Sequence, residues 1–197
     1  MVLMPLPDAS CSLAPAHQHQ LLHLARESIR QGLATGEALG VDLASLPPEL
    51  RVERATFVTL EKQGRLRGCI GCLQAYRPLA VDVAANAFAA AFRDSRFPSV
   101  VAAELQELEI HLSLLTPAEP IVFSSEADLL AQLVPGRDGV ILEEGPRRST
   151  FLPTVWESLP RPEEFLQHLK LKAGLPARHW SGSLKAYRYR TELIQEP

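Results

Sequence analysis

The segment RLRGCIGC, residues 65–72, combines residue types that bind anions, ligate metals or attack electrophiles. Cysteine thiolates are nucleophiles and metal ligands, and arginine guanidinium groups bind anions with two parallel hydrogen bonds. Cys69 and Cys72 match C-x-x-C, the spacing of many zinc and dithiol redox sites. Residues three apart on a strand point to opposite faces, so these two thiols do not converge there. No second C-x-x-C motif supplies further ligands, and we predict no metal ligand and no cofactor.

A single reactive thiol at Cys69 is a different functional hypothesis for the same segment. If the segment is a strand, Arg65, Arg67 and Cys69 share a face, and a neighbouring guanidinium stabilises a thiolate. Gly68 and Gly71 leave room for a substrate or another backbone to approach. This hypothesis makes Cys69 catalytic and makes Arg67, Gly68 and Gly71 substrate-binding residues. In the structural alternative, Cys69 packs as a small apolar residue and the glycines accommodate a β-bulge.

The segment DSRFP, residues 94–98, follows an alanine-rich helical pattern and adds a carboxylate and a cation. Asp94 is a candidate catalytic base or polar ligand. Arg96 is a candidate substrate-binding residue that would hold an anionic group. In the alternative interpretation, the two side chains form a structural pair at the end of the helix.

The histidines offer one candidate partner for the thiol. His111 lies on the polar side of an alternating strand pattern, and we consider it as the partner of Cys69. His19 and His23 have the i, i+4 spacing of a metal pair, but we interpret them as an exposed helix face.

Hydrophobic periodicity predicts the elements that position these residues. Helical spacing recurs in four segments, at about residues 17–32, 77–95, 126–133 and 162–173. Strand patterns occur in a first hairpin FVTLEKQGRLRGCIG, in LEIHLSLL, in a second hairpin GVILEEGPRRSTFLP and in a single final strand SLKAYRYRTELI. Because there is no regular βαβ repeat, we predict an α+β fold with a mixed or largely antiparallel sheet and flanking helices.

The register of the first hairpin decides which side chains share a face. Lys62-Gln63-Gly64 can form a three-residue loop with Gly64 in the left-handed conformation. We prefer this loop to a two-residue turn because it sets apolar residues opposite one another. It pairs Glu61 with Arg65, Leu60 with Leu66, Thr59 with Arg67, and Phe57 with Cys69.

The composition is that of a folded domain. The 197 residues are 46% hydrophobic and 22% charged, with a net charge of −3. This charge provides no general basic surface, and we do not expect nucleic-acid binding. The three cysteines are too few for a disulfide framework, and no secretory or membrane-spanning pattern occurs. We therefore expect a cytoplasmic protein with no membrane partner, and a flexible, proline-rich tail at residues 1–15.

These motifs resemble the AMMECR family. The family's hallmark hexapeptide is LRGCIG, residues 66–71 here, and the likeness continues in order through DSRFPSV, LEIHLSLL, PGRDGVIL, FLPTVW and FLQHLKLKAGL. Similar prokaryotic proteins are called AmmeMemoRadiSam system protein A, a name that reflects an association with a Memo-like protein and a radical SAM protein. The resemblance covers residues 16–197 and implies an α+β fold of two unequal lobes in one compact unit. It implies no settled activity.

Three functional hypotheses follow from the sequence. In the first, the protein is an enzyme component whose small-molecule cleft is lined by the predicted site residues Arg67, Cys69, Asp94 and Arg96. In the second, it is a non-catalytic module that docks a Memo-like or radical SAM partner through the hairpin and the DSRFP loop. In the third, which we expect least, its arginines bind nucleic acid.

Overall fold

The computed structural model of this chain describes residues 12–196, which form two compact units. The larger unit comprises the residues up to Leu115 together with those from Glu192 onward, and the smaller unit spans Thr116–Thr191. Each unit is built around one antiparallel four-stranded sheet with helices, which confirms the predicted α+β class. Within residues 12–196, no helix has both the length and the apolarity needed to cross a membrane.

Four α-helices and eight strands are found in residues 12–196. In chain order they are α1 (Pro15–Thr35), β1 (Thr56–Lys62), β2 (Arg65–Gly71), α2 (Leu79–Phe92), β3 (Leu108–Leu115), β4 (Glu119–Ile121), α3 (Glu126–Gln132), β5 (Gly139–Glu144), β6 (Arg147–Phe151), α4 (Pro162–Lys172), β7 (Lys185–Tyr189) and β8 (Thr191–Gln195). The first sheet has the order β2-β1-β3-β8 and the second the order β4-β7-β5-β6.

The prediction of a single final strand is wrong. The chain breaks at Arg190 into two strands, of which β7 joins the second sheet and β8 joins the first. Thr116 pairs with Arg190 at this break: its backbone N–H donates to the Arg190 carbonyl, and its hydroxyl accepts from the Arg190 N–H. An alternating pattern reports the local strand conformation but does not report which sheet each half joins.

The predicted tail at residues 1–15 falls mostly outside the described residues. Of its last part, the Ser12 hydroxyl and the Leu13 N–H both donate to the Glu192 carboxylate, at 2.8 and 2.7 Å. Helix α1 then begins at Pro15, where proline fits the first helical turn because it has no N–H to leave unpaired.

The register of the first hairpin also differs from the prediction. Gln63 and Gly64 both have positive φ, 54° and 68°, as a two-residue type I′ turn requires. Leu60 still avoids a position opposite Arg67, because β2 carries a bulge in which Arg67 is the extra residue. Beyond the bulge, Thr59 lies opposite Cys69, and Phe57 lies opposite Gly71.

Helix α2 packs against one face of the first sheet, and a buried polar network helps to hold it there. Asp82 accepts hydrogen bonds from the Thr56 N–H at 3.0 Å, the Thr56 hydroxyl at 2.5 Å and the Asn86 amide at 2.9 Å. Arg77 donates to Asp82 at 2.6 Å and to Asn86 at 3.0 Å. Asp82 and Asn86 are almost completely buried, and mutual pairing offsets the cost of burying them.

Candidate functional site

The Cys69 thiol lies on the face of the first sheet opposite to the helices. Val58 and Leu60 are fully buried on the helix side, so the alternation along β1 places Thr59 on the other face. Cys69 is directly opposite Thr59, and the Thr59 hydroxyl donates to the Cys69 sulfur at 3.3 Å. The thiol is half-buried. We call this side of the sheet the outer face.

Asp94 and Arg96 clamp the backbone of Cys69 at the open edge of the sheet. Strand β2 is an edge strand, and its outward backbone groups have no neighbouring strand. The Cys69 N–H donates to the Asp94 carboxylate at 2.9 Å, and the Arg96 guanidinium donates to the Cys69 carbonyl at 3.2 Å. The two side chains therefore act as a substitute for the missing strand at this residue.

The clamp is held together by charge. The Arg96 guanidinium donates to the Asp94 carboxylate through two nitrogens, at 2.7 and 2.9 Å. These bonds, together with backbone N–H donors from Cys69 and Arg96, hold the pKa of Asp94 well below its usual range despite its burial. Asp94 is therefore a fixed anion with its oxygens occupied, which is the arrangement of a positioning residue. Arg96 is about half exposed and can also meet a ligand.

The Arg67 side chain binds Glu104 and Pro98 and not the Cys69 thiol. Its guanidinium forms a two-pronged pair with Glu104, at 3.0 and 2.9 Å, and donates to the Pro98 carbonyl at 2.9 Å. The Arg67 hydrogen bonds hold the pKa of Glu104 at about 2. Only 12% of the Arg67 side chain is exposed. The shared face predicted for Arg65, Arg67 and Cys69 depended on an unbulged register, and the bulge removes it.

The two glycines of the hexapeptide face other parts of the protein. A Cβ on Gly68 would clash with the carbonyl oxygen of Ala90 in α2, and one on Gly71 would clash with the Phe57 ring. Another backbone therefore approaches closely at Gly68, and the β-bulge of the structural alternative is also present, directly before Gly68 at Arg67. The substrate-binding roles of Gly68 and Gly71 stay predictions, and the packing gives them a structural explanation.

Other polar side chains share the outer face with Cys69. His111 of β3 lies opposite Thr59, so Cys69, Thr59 and His111 form one row across three strands. The backbones of Cys69 and His111 are two strand spacings apart, about 10 Å. In the next row, Glu61 lies directly opposite Glu109. Periodicity indicated the face of His111, but Thr59, Glu61 and Glu109 were not predicted to belong to the site.

Cys72 lies just beyond the end of β2. Its N–H donates to the Thr56 carbonyl at 3.1 Å, and its sulfur accepts from the Gln74 N–H at 3.5 Å. Cys69 and Cys72 are both free thiols. That C-x-x-C does not act as a unit stays a prediction.

A separate groove of about 280 Å³ lies in the smaller unit. It runs along the edge strand β4 and is lined in part by Phe123, Trp180 and Tyr187. The rings of Phe123 and Trp180 are 5.6 Å apart, and the Lys170 ammonium lies 5.7 Å from the centre of the Trp180 ring. This groove was not predicted from the sequence, because its residues come from two distant segments, 120–124 and 180–187.

Comparison with known proteins decides the family. The AMMECR1 family model matches residues 22–194, almost the whole of the described chain. The chain belongs to the AMMECR1 family. A protein of Methanothermobacter thermautotrophicus is 37% identical over 182 residues, covering 89% of this chain and 92% of the relative. A protein of Thermotoga maritima is 39% identical over 178 residues, covering 89% and 97%.

A similar solved structure supports the fold. The crystal structure of the uncharacterized protein PH0010 from Pyrococcus horikoshii matches with a TM-score of 0.86 and 34% sequence identity. The match covers 93% of this chain and 93% of that one. The AMMECR1 architecture is therefore shared along nearly the full length, and the resemblance inferred from the LRGCIG hexapeptide is confirmed.

Proposed function

We propose that this AMMECR1 protein is an enzyme component that binds a small anionic molecule on the outer face of its first sheet. In this proposal Cys69 supplies the reacting thiol, and Arg96 supplies the cation that attracts the anion. Asp94 positions both of them and does not act as a base. A cytoplasmic location, also a prediction, would keep the thiol reduced.

The observation that carries the proposal is the clamped and hydrogen-bonded state of Cys69. The Asp94 carboxylate and the Arg96 guanidinium hold its backbone, and the Thr59 hydroxyl contacts its sulfur. The two backbone contacts fix the position of residue 69, and the Thr59 hydroxyl is the contact made by the thiol itself. A half-buried sulfur with a hydroxyl donor, on a residue whose backbone carbonyl binds a half-exposed guanidinium, is a suitable arrangement for nucleophilic chemistry.

Alkylation of Cys69 tests the proposal directly. Cys11 and Cys72 are changed to Ser, and the native protein is treated in parallel with anionic iodoacetate and neutral iodoacetamide. We expect Cys69 to be labelled in the folded protein. The ratio of the iodoacetate rate to the iodoacetamide rate should be higher for Cys69 than for a free thiol such as glutathione. Arg96→Gln should reduce that preference, because the cation that attracts the anionic reagent is removed.

Arg93→Gln is the matched control, because Arg93 lies near the same loop but its guanidinium sits over the Phe88 ring, 5.0 Å from the centroid. This control should retain the preference for iodoacetate. The proposal fails if Cys69 is labelled only after the protein is unfolded. It also fails if Arg96→Gln and Arg93→Gln change the two rates equally.

A docking module is the second candidate, supported by exposed apolar side chains around the hairpin. Leu66 is 44% exposed and Val101 is 56% exposed. Leu66 precedes Arg67, and the Val101 N–H donates to the carboxylate of Glu104, the partner of Arg67. Both therefore adjoin one ion pair, and exposed apolar surface of this kind favours protein contacts. The partners predicted for this surface are a Memo-like protein and a radical SAM protein.

A binding measurement with purified Memo-like and radical SAM proteins tests this second candidate. Leu66→Asp should weaken the binding of a true partner by about tenfold or more, as expected for the loss of a buried apolar contact. Val122→Asp is the control, because Val122 is 85% exposed and belongs to the smaller unit. Equal affinity for the wild type and Leu66→Asp would exclude the hairpin as the docking surface.

A further inference from the structure

Three ligand-type side chains converge on the outer face of the first sheet. Glu61 of β1 lies directly opposite Glu109 of β3, and His111 is two residues further along β3 on the same face. One potential ligand atom from each residue lies within 4.8 Å of the other two. All three come from adjacent strands of one sheet, so the backbone fixes their spacing.

The Nε2 atom of His111 is the unexplained part of this cluster. It is buried and has no hydrogen-bond partner within residues 12–196. The Glu61 carboxylate oxygen is 3.7 Å away, which is too far for a hydrogen bond. Buried polar atoms normally have a hydrogen-bond or metal partner. A ligand between this nitrogen and the carboxylates would supply that partner.

The charges of the two glutamates also favour a bound cation. Like charges directly opposite each other on neighbouring strands are unfavourable, and Glu61 and Glu109 form such a pair. A cation between them would offset the repulsion. In a tetrahedral site with metal–ligand bonds of 2.0–2.1 Å, ligand atoms lie about 3.3 Å apart. The 3.7 Å separation of His111 Nε2 and the Glu61 oxygen is therefore close to that of two ligands of one ion.

We propose that Glu61, Glu109 and His111 bind a divalent transition-metal ion. One imidazole with two carboxylates is a ligand set suited to Zn²⁺, Mn²⁺ or Fe²⁺, since the imidazole disfavours Mg²⁺ and Ca²⁺. Three protein ligands leave a coordination position open, as in catalytic sites, whereas structural zinc sites are closed by four. The three ligands lie on the outer face, which also carries Cys69. This inference does not depend on the reactivity of Cys69.

Titration of the metal-free full chain with Co²⁺, followed by visible absorption, tests the site. We expect d–d bands of the intensity typical of four- or five-coordinate Co²⁺, which Zn²⁺ then displaces. Sulfur-to-cobalt charge-transfer bands in the near ultraviolet should be absent, because no cysteine is a ligand. Glu61→Gln, Glu109→Gln and His111→Ala should each weaken Co²⁺ binding about tenfold or more, since metal sites depend on each ligand.

Two controls make the result specific. Glu107→Gln removes a carboxylate two residues from Glu109 that pairs with Lys62 at 3.4 Å, and it should leave Co²⁺ binding unchanged. His23→Ala removes one member of the exposed pair on α1 and should also have no effect. Circular dichroism and thermal melting of each variant confirm that it is folded. Glu109→Gln is the variant most certain to fold, because Glu109 is exposed.

Several results would overturn the proposal. They are the absence of Co²⁺, Zn²⁺ and Mn²⁺ binding at millimolar concentration, the presence of sulfur charge-transfer bands, and equal affinity in the wild type and the folded Glu109→Gln variant. Loss of binding in His23→Ala would place the ion on α1 instead. Alkylation of Cys69 and binding of Co²⁺ are measured independently, so either proposal can fail while the other stands.

Discussion

The Asp94 carboxylate accepts the backbone N–H of Cys69 at 2.9 Å, across 25 positions of the chain. Arg96 completes the contact by binding the Asp94 carboxylate and the Cys69 carbonyl. The Asp94 carboxylate and the Arg96 guanidinium thus pair with both backbone groups of Cys69, a residue of an edge strand. A sheet edge is open to pairing with another strand, and this pair closes it at the residue that carries the thiol.

Asp94→Asn should loosen this edge. The variant loses the charge that binds Arg96, and we expect the free energy of unfolding to fall by about 1.5–3 kcal/mol, the range for hydrogen bonds to charged groups. Urea unfolding measures the loss, and amide hydrogen exchange should show reduced protection at Cys69. Glu49→Gln, an exposed carboxylate of the same unit, should have little effect. Unchanged protection of the Cys69 amide in Asp94→Asn would contradict the clamp.

Stability should decline in acid because two paired carboxylates have lowered pKa values. The pKa of Glu104 is about 2, held down chiefly by Arg67, and that of Asp94 is also lowered, chiefly by Arg96. A lowered folded-state pKa stabilises the protein above the unfolded-state pKa of about 4, and this stability is lost as the pH falls toward the folded value. Urea unfolding at pH 6, 4 and 3 should show a progressive decrease.

Glu104→Gln isolates one contributor to this acid response. The variant should be less stable than the wild type at pH 6 and should lose less stability between pH 6 and pH 3, because one titrating group is gone. Parallel declines in the two proteins would show that the Arg67 pair does not contribute to acid sensitivity.

Gly68→Ala should destabilise the larger unit. The added Cβ would clash with the backbone carbonyl oxygen of Ala90, and a helix backbone cannot move as a flexible side chain can. We expect a loss of about 1–3 kcal/mol in the free energy of unfolding, typical of overpacking. Gly40→Ala is the matched control, since open space surrounds its added Cβ. Equal stability of the two variants would mean that β2 and α2 are not in close contact at this point.

Thr59→Val should slow the labelling of Cys69 by neutral iodoacetamide several-fold. The hydroxyl donates to the sulfur at 3.3 Å, and a donor to a thiolate stabilises the reactive form. Valine has nearly the same shape, so the change removes the hydrogen bond with little change in packing. Thr59→Ser keeps the donor and should retain most of the rate. If valine and serine give the same rate as threonine, the hydroxyl has no part in thiol reactivity.

Much of the fold was predictable because local periodicity reports local conformation. The alternation of Leu108, Ile110, Leu112 and Leu114 correctly predicted β3, and the alanine-rich pattern predicted α2. The hexapeptide LRGCIG and its companion motifs correctly indicated the family. The short strand β4 was missed, because its three residues include Pro120 and are too few to show a period.

The side-chain partners were harder to predict, because they depend on strand register and on distant residues. A bulge at Arg67 shifted every later pair of the hairpin and sent its guanidinium to Glu104, away from Cys69. Asp94 and Arg96 were chosen for their chemistry, but their joint hold on the Cys69 backbone had no signal in the sequence. The cluster of Glu61, Glu109 and His111 likewise required the pairing of β1 with β3.

The sequence by itself therefore determined the helices, most strands, the turn at Gly64 and the face on which His111 lies. These features depend on backbone preferences and on apolar periodicity over a few residues. Only the tertiary structure decided the position of the bulge at Arg67, the division of the final strand between two sheets and the partner of each charged side chain. Those outcomes depend on contacts between residues far apart in the chain, whose free energies become available only when the sheet and α2 have packed together.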